Sequence, residues 1–326
     1  MKYTFASVLT KEMSQYLSLM ESTGRYIAKT HSTLKNLDKY LVLCNHKNKE
    51  LTMQTIVDWL TTREVSHSTK IQDITHIKGF CKYLSSLGIK AVCPEKQRLK
   101  TGYLPYIFSD EEFQRIAIAA DNFNIDRMKS RASTIFPALL RLLYGCGLRL
   151  SEGRNLRWND VDLDNGVLTI RCAKNQRQRL VPMDSSMTEI LISYQNMVNR
   201  EKICSEYLFE SKRKLGEPLK NNTFYMWFSA ILRSAGIIYS KQKRTDRGPC
   251  PHCLRHLFTK KSFLKSEAEG RRFEDTSPFL SAYLGHDGIK ETERYLRSDY
   301  SVYEQSHARM NASIGALFPE VNFDEE

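Results

Sequence analysis

Apolar residues recur with a helical period through the first part of the chain. In HSTKIQDITHIKGFCKYLSSLG, Ile71, Ile74, Ile77, Phe80, Cys81, Leu84 and Leu87 fall on one face, and Gly88 follows as a residue suited to ending a helix. Upstream, LTMQTIVDWL opens on Thr52, a natural N-cap, and Met53, Ile56, Val57 and Leu60 repeat at helical spacing. An earlier helix is predicted over roughly residues 26–43. Residues 1–93 therefore read as a helical bundle. Periodicity then lapses. Residues 94–106 lie in a basic stretch with two prolines and a glycine, the composition of an interdomain linker.

A second domain is predicted over residues 107–300. Ser109 and Glu112 have capping-box spacing, with further acids in the first turn. STIFPALLRLLYGCG reads as a buried helix ended by glycines. The period then changes to two: Val167, Thr169 and Arg171 alternate with Leu168, Ile170 and Cys172 after the turn signal Asn165-Gly166. A second turn falls near residues 174–177, and RLVPM returns. Helices resume around residues 222–235, 252–266 and 278–284. The pattern predicts a mainly α protein with a small antiparallel β-sheet, a helical domain followed by an α+β domain.

Composition narrows the class. Of 326 residues, 41% are hydrophobic and 26% charged, which fits an ordinary globular protein. No apolar run approaches the ~20 residues of a membrane span, and the N-terminus lacks the unbroken apolar core of a signal peptide. An intracellular protein with no membrane partner is expected. The eight cysteines are scattered and read as small, reduced, mostly buried residues. Lys and Arg outnumber acids by 49 to 37, a net charge of +12. That excess favours a polyanionic partner, with mere solubility as the alternative. Lys70, Lys78 and Lys82 fall among exposed helix positions, able to touch phosphates or simply to face water.

Four groups carry candidate chemistry. YGCGLRLSEGRNLRW leads through a glycine-rich turn to Arg149, with Ser151 as a helix cap; an arginine there suits an anion or pairs with Glu152. CAKNQRQRLVP places Lys174, Arg177 and Arg179 on a hairpin, for insertion into a DNA groove or as protection of a sheet edge. In GPCPHCLRHLF, His252, Arg255 and His256 share a helical face. Cys250 and Cys253 with the two histidines can instead be read as metal ligands, but no second ligand pair stands at a distance, so no metal is expected. Last, AYLGHDGIKETERYLRSDY holds His286 and, nine residues on, Tyr295.

In this order the boxes closely resemble the tyrosine recombinase family, the phage-integrase-like enzymes, over nearly the whole chain. GLRLSE matches the first arginine box at Arg149; the hairpin lysine falls on Lys174. HCLRH supplies His252 and Arg255, LGH supplies His286, and the nucleophile falls on Tyr295. The gap between the last two histidine boxes is longer than usual, and the lysine loop lacks the usual glycines. The resemblance implies a core-binding (SAM-like) domain over 1–93 and a catalytic domain over 107–300. It also implies a site-specific recombinase, of integrase or transposase type, that recombines DNA through a phosphotyrosine intermediate.

By the same resemblance, Tyr295 attacks a phosphodiester while Arg149, Arg255 and His286 hold the non-bridging oxygens. His252 handles a proton, His256 supports it, and Lys174 protonates the leaving 5′-oxygen. The 3′-phosphotyrosyl link preserves the ester energy, so neither metal, ATP nor other cofactor is implied. Double-stranded DNA is the expected partner, in the cytoplasm at the nucleoid, with mobile-element integration or transposition among the roles. Residues 301–326 carry Met310, Ile314, Leu317 and Phe318 at helical spacing and are expected to dock on a neighbouring protomer in a homotetramer bound to two DNA sites. Two other functions fit part of the pattern. A type IB topoisomerase-like enzyme would relax DNA without recombinant products; a non-enzymatic DNA-binding regulator with zinc would be sensitive to chelators.

Overall fold

A computed structural model describes residues 3–25, 27–95, 105–123, 131–171, 178–200, 205–210, 216–240, 248–286, 288–289 and 291–292. The chain divides into two compact units, Met1–Gly102 and Tyr103–Glu326.

The first unit is helical: α1 (Thr10–Ser22), α2 (Ala28–Leu43), α3 (Met53–Thr62) and α4 (His67–Ser86). Leu9, Met13, Leu17, Leu34, Leu37, Trp59, Ile77, Phe80 and Leu84 form its core. Caps begin where the sequence places them: Thr52 Oγ1 accepts from Thr55 N–H at 3.1 Å, and Gly88 follows α4 at φ 76°. The inward stripe of α3 differs from the reading of Met53 and Val57 as a buried face. Ile56 and Trp59 point inward, while Met53 and Val57 are 47% and 39% exposed. Trp59 is buried in their place, while Ile56 and Leu60 keep their contact with the core. Leu87, just past the last turn of α4, is also exposed.

The second unit is built around α6 (Ala132–Gly145), whose Ile135, Phe136, Leu139, Leu140, Leu142 and Leu143 are all buried. It packs against α5 (Asp110–Asp121), α8 (Ser185–Arg200), α9 (Asn221–Ser234) and α10 (Pro251–Ala268). The Ser109/Glu112 capping box opens α5. A short α7 (Leu150–Arg154) and a 3-10 turn lead into a three-stranded antiparallel sheet, β1 (Val161–Asp162), β2 (Val167–Ile170) and β3 (Arg179–Pro182), in that order. Gly166, at φ 63°, makes the first hairpin turn. Leu168 and Ile170 are buried, as the alternation predicts, and pair with Val181 and Arg179.

Helix α11 (Phe273–Leu284) starts five residues before the predicted 278. Glu274 and Asp275 in its first turn complement the helix dipole, and Pro278 sits inside the first turns. Helix α8, capped by Asp184, is not assigned by the sequence reading. The expected fold class, mainly α with a small antiparallel sheet, is the observed one. No helix among the described residues is long and apolar enough to cross a membrane.

Candidate active site

The site gathers at the C-terminal end of α11. A helix ends with carbonyls that have no partner within the helix. Here three consecutive carbonyls are each taken by an arginine from a different part of the chain. Arg179 Nε donates to Tyr283 O at 2.8 Å, Arg255 Nη2 to Leu284 O at 2.7 Å, and Arg149 Nη2 to Gly285 O at 3.2 Å. The negative end of the helix dipole favours such cations. Gly285 is the left-handed cap of the helix, at φ 67°, and a Cβ there would lie 2.7 Å from Arg179 Nη1. Only glycine fits both demands.

One carboxylate organises the same three arginines. Glu152 is buried on α7, and its side chain takes Arg149 Nη1 at 2.8 Å, Arg179 Nη1 at 3.1 Å and Arg179 Nη2 at 2.9 Å. Arg255 Nη1 stands 3.9 Å away. Burial by itself would raise the Glu152 carboxyl, but the hydrogen bonds and charge of Arg179, with the backbone N–H and charge of Arg149, hold it down at about 2. Three guanidiniums around one carboxylate leave a surplus of two positive charges.

Arg255 is completely buried. Besides Leu284 O, it donates to Gly147 O at 2.7 Å. Gly147 sits at φ 57° after α6, and any Cβ there would collide with the Phe258 ring. The glycine-rich turn of the first arginine box thus brings a carbonyl to the arginine of the third.

His286 joins the group through Arg255 Nη2, 2.9 Å from its Nε2, and its Nδ1 lies 2.8 Å from Thr292 Oγ1. A guanidinium only donates, so Nε2 accepts, and the proton of the neutral ring belongs on Nδ1, facing Thr292. Burial, then the charges of Arg255, Arg149 and Arg179, push the His286 pKa down to about 3. His252 stands on the first turn of α10 and is exposed. Desolvation against the protein, then the charges of Arg255 and Arg149, push its pKa down to about 4. His256 is buried beneath it, the two rings edge to face at 5.0 Å, and burial takes its pKa down to about 3. All three imidazoles are neutral at pH 7.

The structure therefore brings together Arg149, His252, Arg255 and His286, with Glu152 and His256 beside them. Lys174, Arg177, Tyr295 and the 301–326 tail lie outside the described residues. Arg179 points inward, its side chain only 10% exposed, rather than out toward a groove. In β3 it shares the face of buried Val181, and that parity carries it to Glu152. Arg149, not Ser151, is the N-cap residue of α7, and the Glu152 carboxylate accepts its backbone N–H at 3.0 Å. Lys78 and Lys82 are exposed on α4 and Lys70 is half-buried. Cys250 and Cys253 sit at the start of α10 with sulfurs 3.5 Å apart, and contact between them together with burial raises the Cys253 thiol. Among the described residues, no three His, Cys, Asp or Glu side chains are grouped to hold a metal. Thr292 is the partner the sequence reading missed; it follows His286 at i+6, a spacing with no helical or strand signature.

The chain is thus a helical unit followed by an α+β unit in which distant boxes meet as one cluster of arginines and imidazoles. Residues 107–301 match the phage integrase family, and the chain belongs to that family as a tyrosine recombinase. It is 28% identical over 323 residues to "Putative integrase/recombinase y4rB" of Sinorhizobium fredii, covering 93% of this chain and 97% of that one. It is 29% identical over 242 residues to tyrosine recombinase XerD of Pseudomonas putida, covering 72% and 73%. Its fold is like that of the XerH site-specific recombinase bound to palindromic difH substrate in a post-cleavage complex. That likeness has a TM-score of 0.65 at 18% identity, over 86% of this chain and 79% of that one.

Proposed function

We propose that the pocket around Arg149 and Arg255 holds the scissile phosphate of double-stranded DNA, and that Tyr295 attacks it to form a 3′-phosphotyrosyl link. The observation that carries this reading is the surplus of positive charge around one buried carboxylate. An isolated buried charge is costly, and a site built with two in excess is completed by an anion. The two guanidiniums neutralise the non-bridging oxygens as negative charge builds on them.

The proton path follows from the histidines. A tyrosine phenol has an ordinary pKa of about 10 and is a poor nucleophile at neutral pH. His252 is neutral, so it can take the phenol proton as attack proceeds; the incoming phosphate raises its basicity by offsetting the arginine charges. The new P–O bond to Tyr295 forms as the bond to the 5′-oxygen breaks. Lys174 donates a proton to that oxygen. A 5′-hydroxyl from a second strand reverses the steps, so no ATP and no metal enters. His286, once a phosphate competes for Arg255, is free to turn its ring toward the same oxygens.

On this reading residues 1–93 form a core-binding domain that contacts DNA through Lys70, Lys78 and Lys82, joined through 94–106 to the catalytic domain at 107–300. Arg177 adds a contact from the hairpin. The 301–326 tail docks on a neighbouring protomer of a tetramer that pairs two sites, at the nucleoid in the cytoplasm. The test is a nicked suicide DNA carrying the target site. Wild-type protein becomes covalently attached; Tyr295→Phe leaves no adduct. Attachment through Tyr300 or Tyr303 would move the nucleophile, and no attachment at all would reject the mechanism.

A further inference from the structure

We propose that Arg179 is a positioning residue of the cleavage reaction, keeping Glu152 from capturing Arg149 so that Arg149 and Arg255 retain their charge for the phosphate. The inference rests on the reading above that these two arginines hold the scissile phosphate.

The geometry is specific. A carboxylate and a guanidinium prefer to meet as two parallel hydrogen bonds. Arg179 makes that pair with Glu152, Nη1 to Oε1 at 3.1 Å and Nη2 to Oε2 at 2.9 Å. Arg149 is left with a single side-chain bond to Oε1 at 2.8 Å, and its own backbone N–H occupies Oε2 at 3.0 Å. Its other terminal nitrogen reaches Gly285 O. With Arg179 removed, no other described side chain of the sheet would compete for Glu152. The carboxylate could then take Arg149 two-pronged and neutralise it.

Arg179 has a second hold on the site. Its Nε binds Tyr283 O, and its guanidinium lies against Gly285, so it braces the turn from which His286 emerges. Its Nε and both terminal nitrogens are committed to Tyr283 O and Glu152, so it acts through Glu152 rather than by its own contact with the phosphate. Among the described residues, the other charged groups facing Glu152 are Arg149 from its own turn and Arg255 from α10.

The test is a double-mutant cycle on single-turnover covalent attachment to suicide DNA, with DNA affinity and thermal unfolding measured for each variant. Arg179→Gln should slow attachment about 10- to 100-fold, the usual cost of losing an outer partner of a reacting group, with DNA affinity within about threefold of wild type. Adding Glu152→Gln should recover much of that rate, because the carboxylate that captures Arg149 has lost its charge. A role confined to structure predicts the opposite, since each loss would add to the other. Should Arg179→Gln fail to fold, Glu152→Gln is compared with the double variant: equal rates support the inference, and a tenfold lower rate in the double variant overturns it. Attachment by Arg179→Gln at the wild-type rate also overturns it, while leaving the phosphate site intact. Absence of attachment by the wild type would remove the cleavage reading and this inference together.

Discussion

Both units bury carboxylates, and the clusters around Asp73 and Glu152 do so in opposite ways. In the helical unit, Asp38 accepts the backbone N–H groups of Ala6 and Ser7, tying the N-terminal segment to α2. Asp73 on α4 faces Arg63 at 3.0 Å as an ion pair and takes the Thr33 hydroxyl at 2.9 Å. The second of these is one carboxylate against one cation, closed on itself. In the other unit one carboxylate meets three guanidiniums, and the account does not balance. A balanced buried pair, or a carboxylate satisfied by backbone N–H groups as Asp38 is, ties elements together; several cations around one carboxylate mark where a ligand of opposite charge belongs. Within the second unit the same contrast holds: Arg131–Glu210 is one cation against one buried carboxylate, while Glu152 faces three.

The largest effect expected from this contrast is on Arg255. Arg255→Gln should lower covalent attachment to suicide DNA by about 1000-fold, the upper range for losing one preorganised donor. It should also destabilise the unit by leaving Gly147 O and Leu284 O without their donor, visible as a lower midpoint in thermal unfolding. In the balanced unit, Asp73→Ala should cost about 3 kcal/mol by stranding Arg63. Urea unfolding would measure that loss, and attachment per folded molecule should stay within twofold of wild type. A large kinetic defect in Asp73→Ala would blur the distinction between the two kinds of buried charge.

Acid sharpens the same comparison. His252, His256 and His286 all have folded-state pKa values below the ordinary 6.5, so the folded chain binds fewer protons than the unfolded chain as pH falls. Their contribution is fully present above pH 6.5 and is lost between there and about pH 3 to 4. For buried His256 alone the loss by pH 5 is about 2 kcal/mol. Glu152, held at about 2 against an ordinary 4.5, adds a second loss beginning below pH 4.5. Chemical unfolding at pH 7 and pH 5 should show this decline, and His256→Phe should flatten it. In the first unit His76 is lowered by burial too, but a single group makes the smaller slope.

Much of this was legible in the sequence, and the failures have physical causes. The face of α4, the Thr52 cap, the Ser109/Glu112 box and the Asn165-Gly166 turn follow from local chemistry. The boxes that carry Arg149, His252, Arg255 and His286 were legible only as an ordered set, through its resemblance to a family. The inward turn of Arg179 was hidden because the hairpin loop gives no register. Once Ile170 is known to be buried, its partner across the ladder must share that face. The burial of Glu152 depends on guanidiniums from β3 and α10, which no local pattern connects. Trp59 takes the place of Met53 and Val57 in the core of the first unit, where Ile56 and Leu60 keep their contact.

The claim that the charge surplus exists for the phosphate can be tested by removing the charge from the DNA instead of from the protein. Attachment by wild type and Arg149→Ala would be compared on suicide DNA with either a normal phosphodiester or a neutral methylphosphonate at the cleaved position. On the normal linkage the variant should be about 100- to 1000-fold slower. On the methylphosphonate, which has one less charge to neutralise, the gap should shrink to about tenfold or less. A gap of the same size on both linkages would mean that Arg149 does not act on the phosphate charge, and the account would be wrong at its centre.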